Sequence, residues 1–245
     1  MTLSAKQQLP LKRLIFAHAV HLFTATGAVW GFLAILAIFQ HEWRLSIYWM
    51  ILAIMVDGFD GMLARKADVK TYASGIDGAL LDNILDYLNY VIVPALFLVE
   101  SGILPELYKL PVAFLILITS AYQFTQVDAK TDETHSYFFK GFPSYWNVVV
   151  LYMLAMRLNP WINLAILVFF NILVFVPIKY VYPSRDTRLK KLTLILSYLY
   201  GIIGVWAIMQ YPDVPGWVVG VSFLYVAYYI VLSLWPRNRA QVSVG

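Results

Sequence analysis

Apolar runs separated by short polar clusters repeat from one end of the chain to the other, and most approach the ~20 residues that a helix needs to cross a bilayer core. Eight such runs are read as spans: residues 17–39, 45–65, 77–99, 110–126, 145–158, 161–181, 192–210 and 217–235. Only Asn159 and Pro160 separate the fifth run from the sixth, so a tight hairpin is expected there. The first run continues through Gly27 and Gly31 to Phe39 without a short apolar stretch and cleavage site, and is read as a span, not a removed signal.

Composition agrees with this pattern. The chain is 61% hydrophobic and 13% charged, whereas a soluble domain is about a quarter charged. The expected fold is therefore an all-α integral membrane protein of about eight transmembrane helices. Residues 1–245 are read as a single transmembrane domain without linker or long internal repeat. No cysteine is present, which excludes disulfides, thiolate nucleophiles and Cys-bound zinc.

Charge placement gives an orientation. With the N-terminus in the cytoplasm, all of the 18 lysines and arginines except Arg44, Lys109 and Arg157 fall on the cytoplasmic side. Both termini are then cytoplasmic. The net charge of +4 reads as topology and contact with anionic lipid headgroups, with no nucleic-acid partner.

Against this background one stretch stands out, DGFDGMLARKADVKTYASGIDGALLDNILD, from Asp57 to Asp86. At 100° per residue, Asp57, Asp60, Gly61, Ala64 and Arg65 share a face about 140° wide, and Gly78, Asp82 and Asp86 form a stripe on the next helix. Two antiparallel helices can thus point four carboxylates at each other near the cytoplasmic surface. Ionisable groups at such depth need a polar cavity, a partner or an ion. Oxygen ligands with neither His nor Cys beside them favour Mg²⁺ or Mn²⁺. Gly61, Gly78 and Ala64 leave shallow places where a nucleotide can approach the backbone, and Arg65 can pair with a phosphate. Close helix packing and helix capping are the competing readings, evenly weighted for Gly58 and Gly75.

The stretch resembles the motif of the CDP-alcohol phosphotransferase family, DxxDGxxAR followed by GxxxDxxxD, with its fixed letters on Asp57, Asp60, Gly61, Ala64, Arg65, Gly78, Asp82 and Asp86. Twelve residues lie between Arg65 and Gly78, a longer spacer than many members have. The resemblance implies a six-helix core, about residues 12–182 here, with two further C-terminal helices at about 192–235. It also implies two metal ions, Mg²⁺ or Mn²⁺, held by the four aspartates, Asp86 serving in addition as general base, and a CDP-linked substrate touching Asp57, Asp60, Gly61, Ala64, Arg65 and Gly78. In the first span, Thr24, Gly27 and Gly31 look like the family's nucleotide-facing element, and equally like a small-residue packing seam.

Beyond the motif, the spacer, FFKGFPSYWN (138–147) and KYVYPSR (179–185) resemble the bacterial phosphatidylcholine synthase branch over nearly the full length. That resemblance implies CDP-diacylglycerol and choline as substrates, phosphatidylcholine and CMP as products, membrane lipids as surroundings, the bacterial inner membrane as location with a cytoplasmic active site, and room for a homodimer. A quaternary ammonium is held by aromatic faces, for which Trp146, Tyr145 and Tyr87 are candidates, with Tyr90 also flanking the acid helix; an interfacial aromatic belt explains most such residues as well. Lys140, Arg185 and Arg188 are candidates for lipid phosphates, though positive-inside topology alone accounts for them. His18 and His21 are read as interfacial hydrogen-bonding residues, and Asp128, Asp132 and Glu133 as solvated loop acids. The alternatives are another acceptor (inositol, serine or glycerol phosphate), CDP-choline as donor, or, from a different class, a cation transporter.

Overall fold

The computed structural model describes residues 10–126, 130–133, 136–181 and 190–234. The chain divides into two compact units, Met1–Leu117 with Trp146–Val150, and Ile118–Tyr145 with Leu151–Gly245. Its helices are α1 (Leu11–Phe39), α2 (Trp43–Ala67), the single turn α3 (Val69–Tyr72), α4 (Gly78–Glu100), α5 (Lys109–Thr125), α6 (Trp146–Met156), α7 (Pro160–Phe175), α8 (Lys190–Met209) and α9 (Gly216–Leu234). Among the described residues six helices are long and apolar enough to cross a membrane, and α6 and α7 are shorter apolar helices. The chain is thus an integral membrane protein built from helices, as its hydropathy requires.

In the first unit α1 and α2 pack along each other and α4 lies against α1. Their ends follow local chemistry. Asp68 adopts the left-handed conformation (φ 48°) and its N–H returns to the carbonyls of Ala64 and Arg65, stopping α2 beside its last two basic residues. Asp77 caps α4, its carboxylate accepting from the N–H groups of Ala79 at 3.1 Å and Leu80 at 3.0 Å. Two acids of the 57–86 stretch, Asp68 and Asp77, are therefore accounted for by helix ends.

Halfway along α4 the winding widens into a π-helical segment, Tyr87–Ile92, with the Val93 N–H bonded to the carbonyl of Leu88. Pro94 supplies the physical reason. It has no N–H for the Tyr90 carbonyl, and its ring would press on that carbonyl in a regular α-helix; a wider turn relieves both. The segment seats Asn89 against α1, where its Nδ2 donates to the Gly27 carbonyl at 3.1 Å. A Cβ at Gly31 would lie 2.5 Å from Asn89 Oδ1, so Asn89 in its observed position packs directly on a glycine. At Gly31 the packing seam is therefore the reading that holds. A Cβ at Gly58 or Gly75 meets nothing within 4 Å, so close packing does not account for either.

In the second unit the helices are joined by a small antiparallel sheet, β1 (Lys130–Glu133), β2 (Ser136–Lys140) and β3 (Lys179–Val181), ordered β1-β2-β3. Phe139 pairs with Lys130 on one side and Tyr180 on the other. The sheet adds to the helical expectation and puts Asp132 and Glu133 on a strand where a loop was expected. It also corrects the sixth span, read to residue 181: α7 stops at Phe175, and Val176 turns extended because it precedes Pro177. The expected tight hairpin is present. Arg157 ends α6 in the left-handed conformation, and Asn159 caps α7 through the Trp161 N–H at 2.9 Å with Pro160 at its first turn.

Gly141 follows β2 with φ +78°, and a Cβ there would lie 2.2 Å from the Val174 carbonyl oxygen, which fixes the residue as glycine. Backbone bonds from Gly141 to Ile178 at 2.9 Å and from Phe142 to Leu173 at 3.0 Å hold the sheet to the end of α7. Several polar side chains within the apolar helices of this unit pair with one another, as a membrane interior favours. Tyr152 donates to Ser222 at 2.9 Å, Thr193 pairs with Tyr228 at 2.8 Å, and Ser197 pairs with Tyr225 at 2.8 Å.

Candidate active site

Helices α1, α2 and α4 enclose a cleft whose polar lining is Asp57 and Asp60 from α2, Asp82, Asp86, Asn89 and Tyr90 from α4, and Thr24 from α1. Both halves of the acidic stretch thus meet, as their helical spacing predicts. One carboxylate oxygen each of Asp57, Asp82 and Asp86 lies within 4.8 Å of the other two, and all three residues are half-buried. Asp60 stands apart from that trio. It is 7% exposed, with Asp57 and Asp82 as its charged neighbours and Thr24 beside it. The Thr24 hydroxyl donates to the Val20 carbonyl at 3.2 Å.

Three carboxylates this close in a half-buried cleft repel one another, and a divalent cation is the economical counter-charge. The donor chemistry fits: the trio offers oxygen atoms alone, gathered within 4.8 Å of one another, and an oxygen-only donor set suits a hard cation such as Mg²⁺ or Mn²⁺. Asp57, Asp82 and Asp86 could hold such an ion, with Asp60 the fourth acid at the same cleft.

Around the acids, the motif residues take distinct places. The Arg65 side chain is exposed and folds back along α2, its guanidinium 3.5 Å from where a Gly61 Cβ would stand. A Cβ at Gly61 would be in ordinary contact with that guanidinium, and Ala64, half-buried, continues the same face. A Cβ on Gly78 would lie 2.8 Å from His21 Cε1, so the His21 ring occupies the space that Gly78 leaves. His21 is 6% exposed and its Nε2 has no hydrogen-bond partner among the described residues. The interfacial hydrogen bonding expected of His21 is therefore corrected: the ring is buried because a glycine admits it. His18 keeps that kind of role, its Nδ1 2.9 Å from the Leu14 carbonyl oxygen.

The aromatic candidates are spread differently from the acids. Tyr87 is half-buried and its hydroxyl donates to the Leu117 carbonyl at 2.9 Å. Trp146 is fully enclosed, and Tyr145 is 37% exposed. Neither Tyr87 nor Trp146 is among the residues lining the acid cleft. Lys140 lies on β2, and Arg185 and Arg188 lie outside the described residues.

Sequence reasoning gave too little to two residues. Asn89 is 6% exposed and ties α4 to α1; Tyr90, read only as a flanking aromatic, donates its hydroxyl to Asp57 Oδ2 at 2.7 Å. The signal was present, since Asn89 and Tyr90 follow Asp86 by three and four residues and so share its helix face.

Comparison with known proteins agrees with the geometry. Residues 17–176 match the CDP-alcohol phosphatidyltransferase family. A phosphatidylcholine synthase of Legionella pneumophila is 43% identical to the chain, covering 98% of it and 97% of the relative. Phosphatidylcholine synthases of Rhizobium meliloti (37% identical; 91% of this chain, 93% of the relative) and Pseudomonas aeruginosa (36%; 91% and 92%) are also similar.

Proposed function

The chain belongs to the CDP-alcohol phosphatidyltransferase family, and from that premise we propose that it transfers the phosphatidyl group of CDP-diacylglycerol to choline, giving phosphatidylcholine and CMP. The observation that carries the reading is the meeting of carboxylates from both half-motifs in one cleft. Similarity to phosphatidylcholine synthases over nearly the whole chain supports choline as the acceptor.

Divalent ions, when bound, polarise the diphosphate and offset the charge that gathers on the leaving CMP. The chain's own residues do the rest. Asp57, Asp60, Asp82 and Asp86 would bind the ions, and Arg65 pairs with a donor phosphate. Thr24, Gly61 and Ala64 flank the nucleotide, and Gly78 acts there through His21, whose ring fills the space that the glycine leaves. Asp86 takes the proton of the choline hydroxyl; the freed oxygen bonds to the phosphorus that carries diacylglycerol, and the bond from that phosphorus to the oxygen of CMP breaks. No covalent enzyme intermediate enters. Candidate aromatic faces for the trimethylammonium group are, on chemical grounds, Tyr87 or Tyr145, since the Trp146 ring is fully enclosed and offers no open face; lipid phosphates are assigned to Lys140, Arg185 and Arg188.

Purified protein given CDP-diacylglycerol, Mn²⁺ and separately labelled choline, inositol, serine and glycerol phosphate should release CMP with choline and form labelled phosphatidylcholine. Faster release with any other alcohol overturns the choice of acceptor.

The proposed location is a bacterial inner membrane with the cleft on the cytoplasmic side, supported by the bias of lysine and arginine. Reporter fusions at Lys70, Lys130, Arg188 and the C-terminus should read cytoplasmic, and fusions at Trp43 and Asp213 external. A cytoplasmic reading at Trp43 would put the acids on the wrong face for cytosolic choline.

A further inference from the structure

The π-helical segment of α4 grips two neighbouring helices with consecutive residues: Asn89 reaches the Gly27 carbonyl on α1, and Tyr90 reaches Asp57 on α2. The second contact enters the acid trio itself. Tyr90 is 7% exposed, lines the cleft, and its 2.7 Å bond links the α2 acid to the helix that carries Asp82 and Asp86. Asp57 is half-buried, and a carboxylate with one oxygen hydrogen-bonded has lost most of its freedom to rotate. We propose that Tyr90 is a positioning residue for the metal centre, its hydroxyl holding the Asp57 carboxylate in register with Asp82 and Asp86.

Three features of the chain support this assignment. Asp57 alone among the trio comes from α2, so its placement depends on how α2 sits against α4, whereas Asp82 and Asp86 are one turn apart on a single helix. The Tyr90 bond spans that helix pair at the level of the acids. Tyr90 also lies inside the widened turn just before Pro94, next to Asn89, which anchors the same turn to α1. Partners of this kind, bonded to a ligand and not to the ion, commonly govern metal affinity by roughly tenfold to a hundredfold.

The inference rests on the metal reading of the cleft but not on which alcohol is the acceptor, so its test uses Mn²⁺ alone. Binding of Mn²⁺ to the full chain in detergent, followed by the electron paramagnetic resonance signal of free Mn²⁺, should weaken at least roughly tenfold in Tyr90→Phe. The ring, and hence the packing, is kept. With CDP-diacylglycerol and choline present, kcat in Tyr90→Phe should return close to wild type once Mn²⁺ is saturating, so that the defect appears as metal requirement. Tyr228→Phe is the comparison for general loosening, since it removes a tyrosine hydroxyl bond, to Thr193 at 2.8 Å, within the second unit; its Mn²⁺ affinity should be unchanged. Wild-type affinity in Tyr90→Phe, or an equal loss in Tyr228→Phe, overturns the positioning role while leaving the metal centre standing. Absence of Mn²⁺ binding in the wild type overturns both.

Discussion

Asp57→Asn and Asp82→Asn should each lower CMP release by at least about a thousandfold, because a bound divalent ion contributes several kcal/mol of charge stabilisation and each factor of ten in rate corresponds to about 1.4 kcal/mol. The substitutions keep the shape of the side chain and remove its charge. The two residues stand on different helices, α2 and α4, yet their carboxylate oxygens lie within 4.8 Å of each other; losing either should therefore have the same consequence. The protein should remain folded in detergent, and could become slightly more stable without metal, since one of three mutually repelling charges is gone. Circular dichroism and thermal unfolding beside the CMP assay separate these effects. EDTA should abolish wild-type activity and added Mn²⁺ restore it. Full turnover in excess EDTA, or in either variant, would remove metal ions from the mechanism.

Much of this site was legible in the sequence because its residues obey one local rule. Asp57 and Asp60 are three apart, Asp82 and Asp86 four apart, and helical spacing alone aims each pair at one face. The helix ends were readable for similar reasons: Asn159–Pro160 announces a cap and a first turn, and Val176–Pro177 announces a stop, although the sixth span was read past it. What escaped was set by contacts between helices. Spacing does not reveal that His21 fills the space over Gly78, or that Gly31 makes room for Asn89, because both pairs join residues far apart in the chain. The π segment escaped for a different reason. Pro94 marks a disturbance in α4, but whether a helix answers a proline by kinking, breaking or widening depends on the packing around it. The sheet was hidden within segments whose composition resembles loop or span, and forms by pairing residues 39 to 43 positions apart between β2 and β3.

Asp86 has two proposed duties, as metal ligand and as general base, and its replacement should separate them. It shares the trio with Asp57 and Asp82 and also lines the cleft near the end of the regular part of α4. Asp86→Asn keeps a ligating oxygen but cannot accept the choline proton. If it were a ligand only, raising Mn²⁺ should compensate for weaker binding and recover most of kcat. If it is the base, saturating Mn²⁺ leaves the chemical step at least roughly a hundredfold slow, the lower end of what a positioned base contributes, while binding of CDP-diacylglycerol changes much less. The base reading also predicts that raising the pH recovers part of the lost rate in Asp86→Asn, since hydroxide then removes the proton that the enzyme no longer takes. Single-turnover release of CMP at saturating Mn²⁺, measured across pH in wild type and variant, reads all of this at once. A near-normal chemical step in Asp86→Asn would leave Asp86 a ligand alone and send the search for the base to another group of the cleft. Choline uptake into sealed vesicles without CDP-diacylglycerol, run beside it, should be absent; donor-independent uptake with no CMP release from wild type would instead make the acids part of an ion pathway.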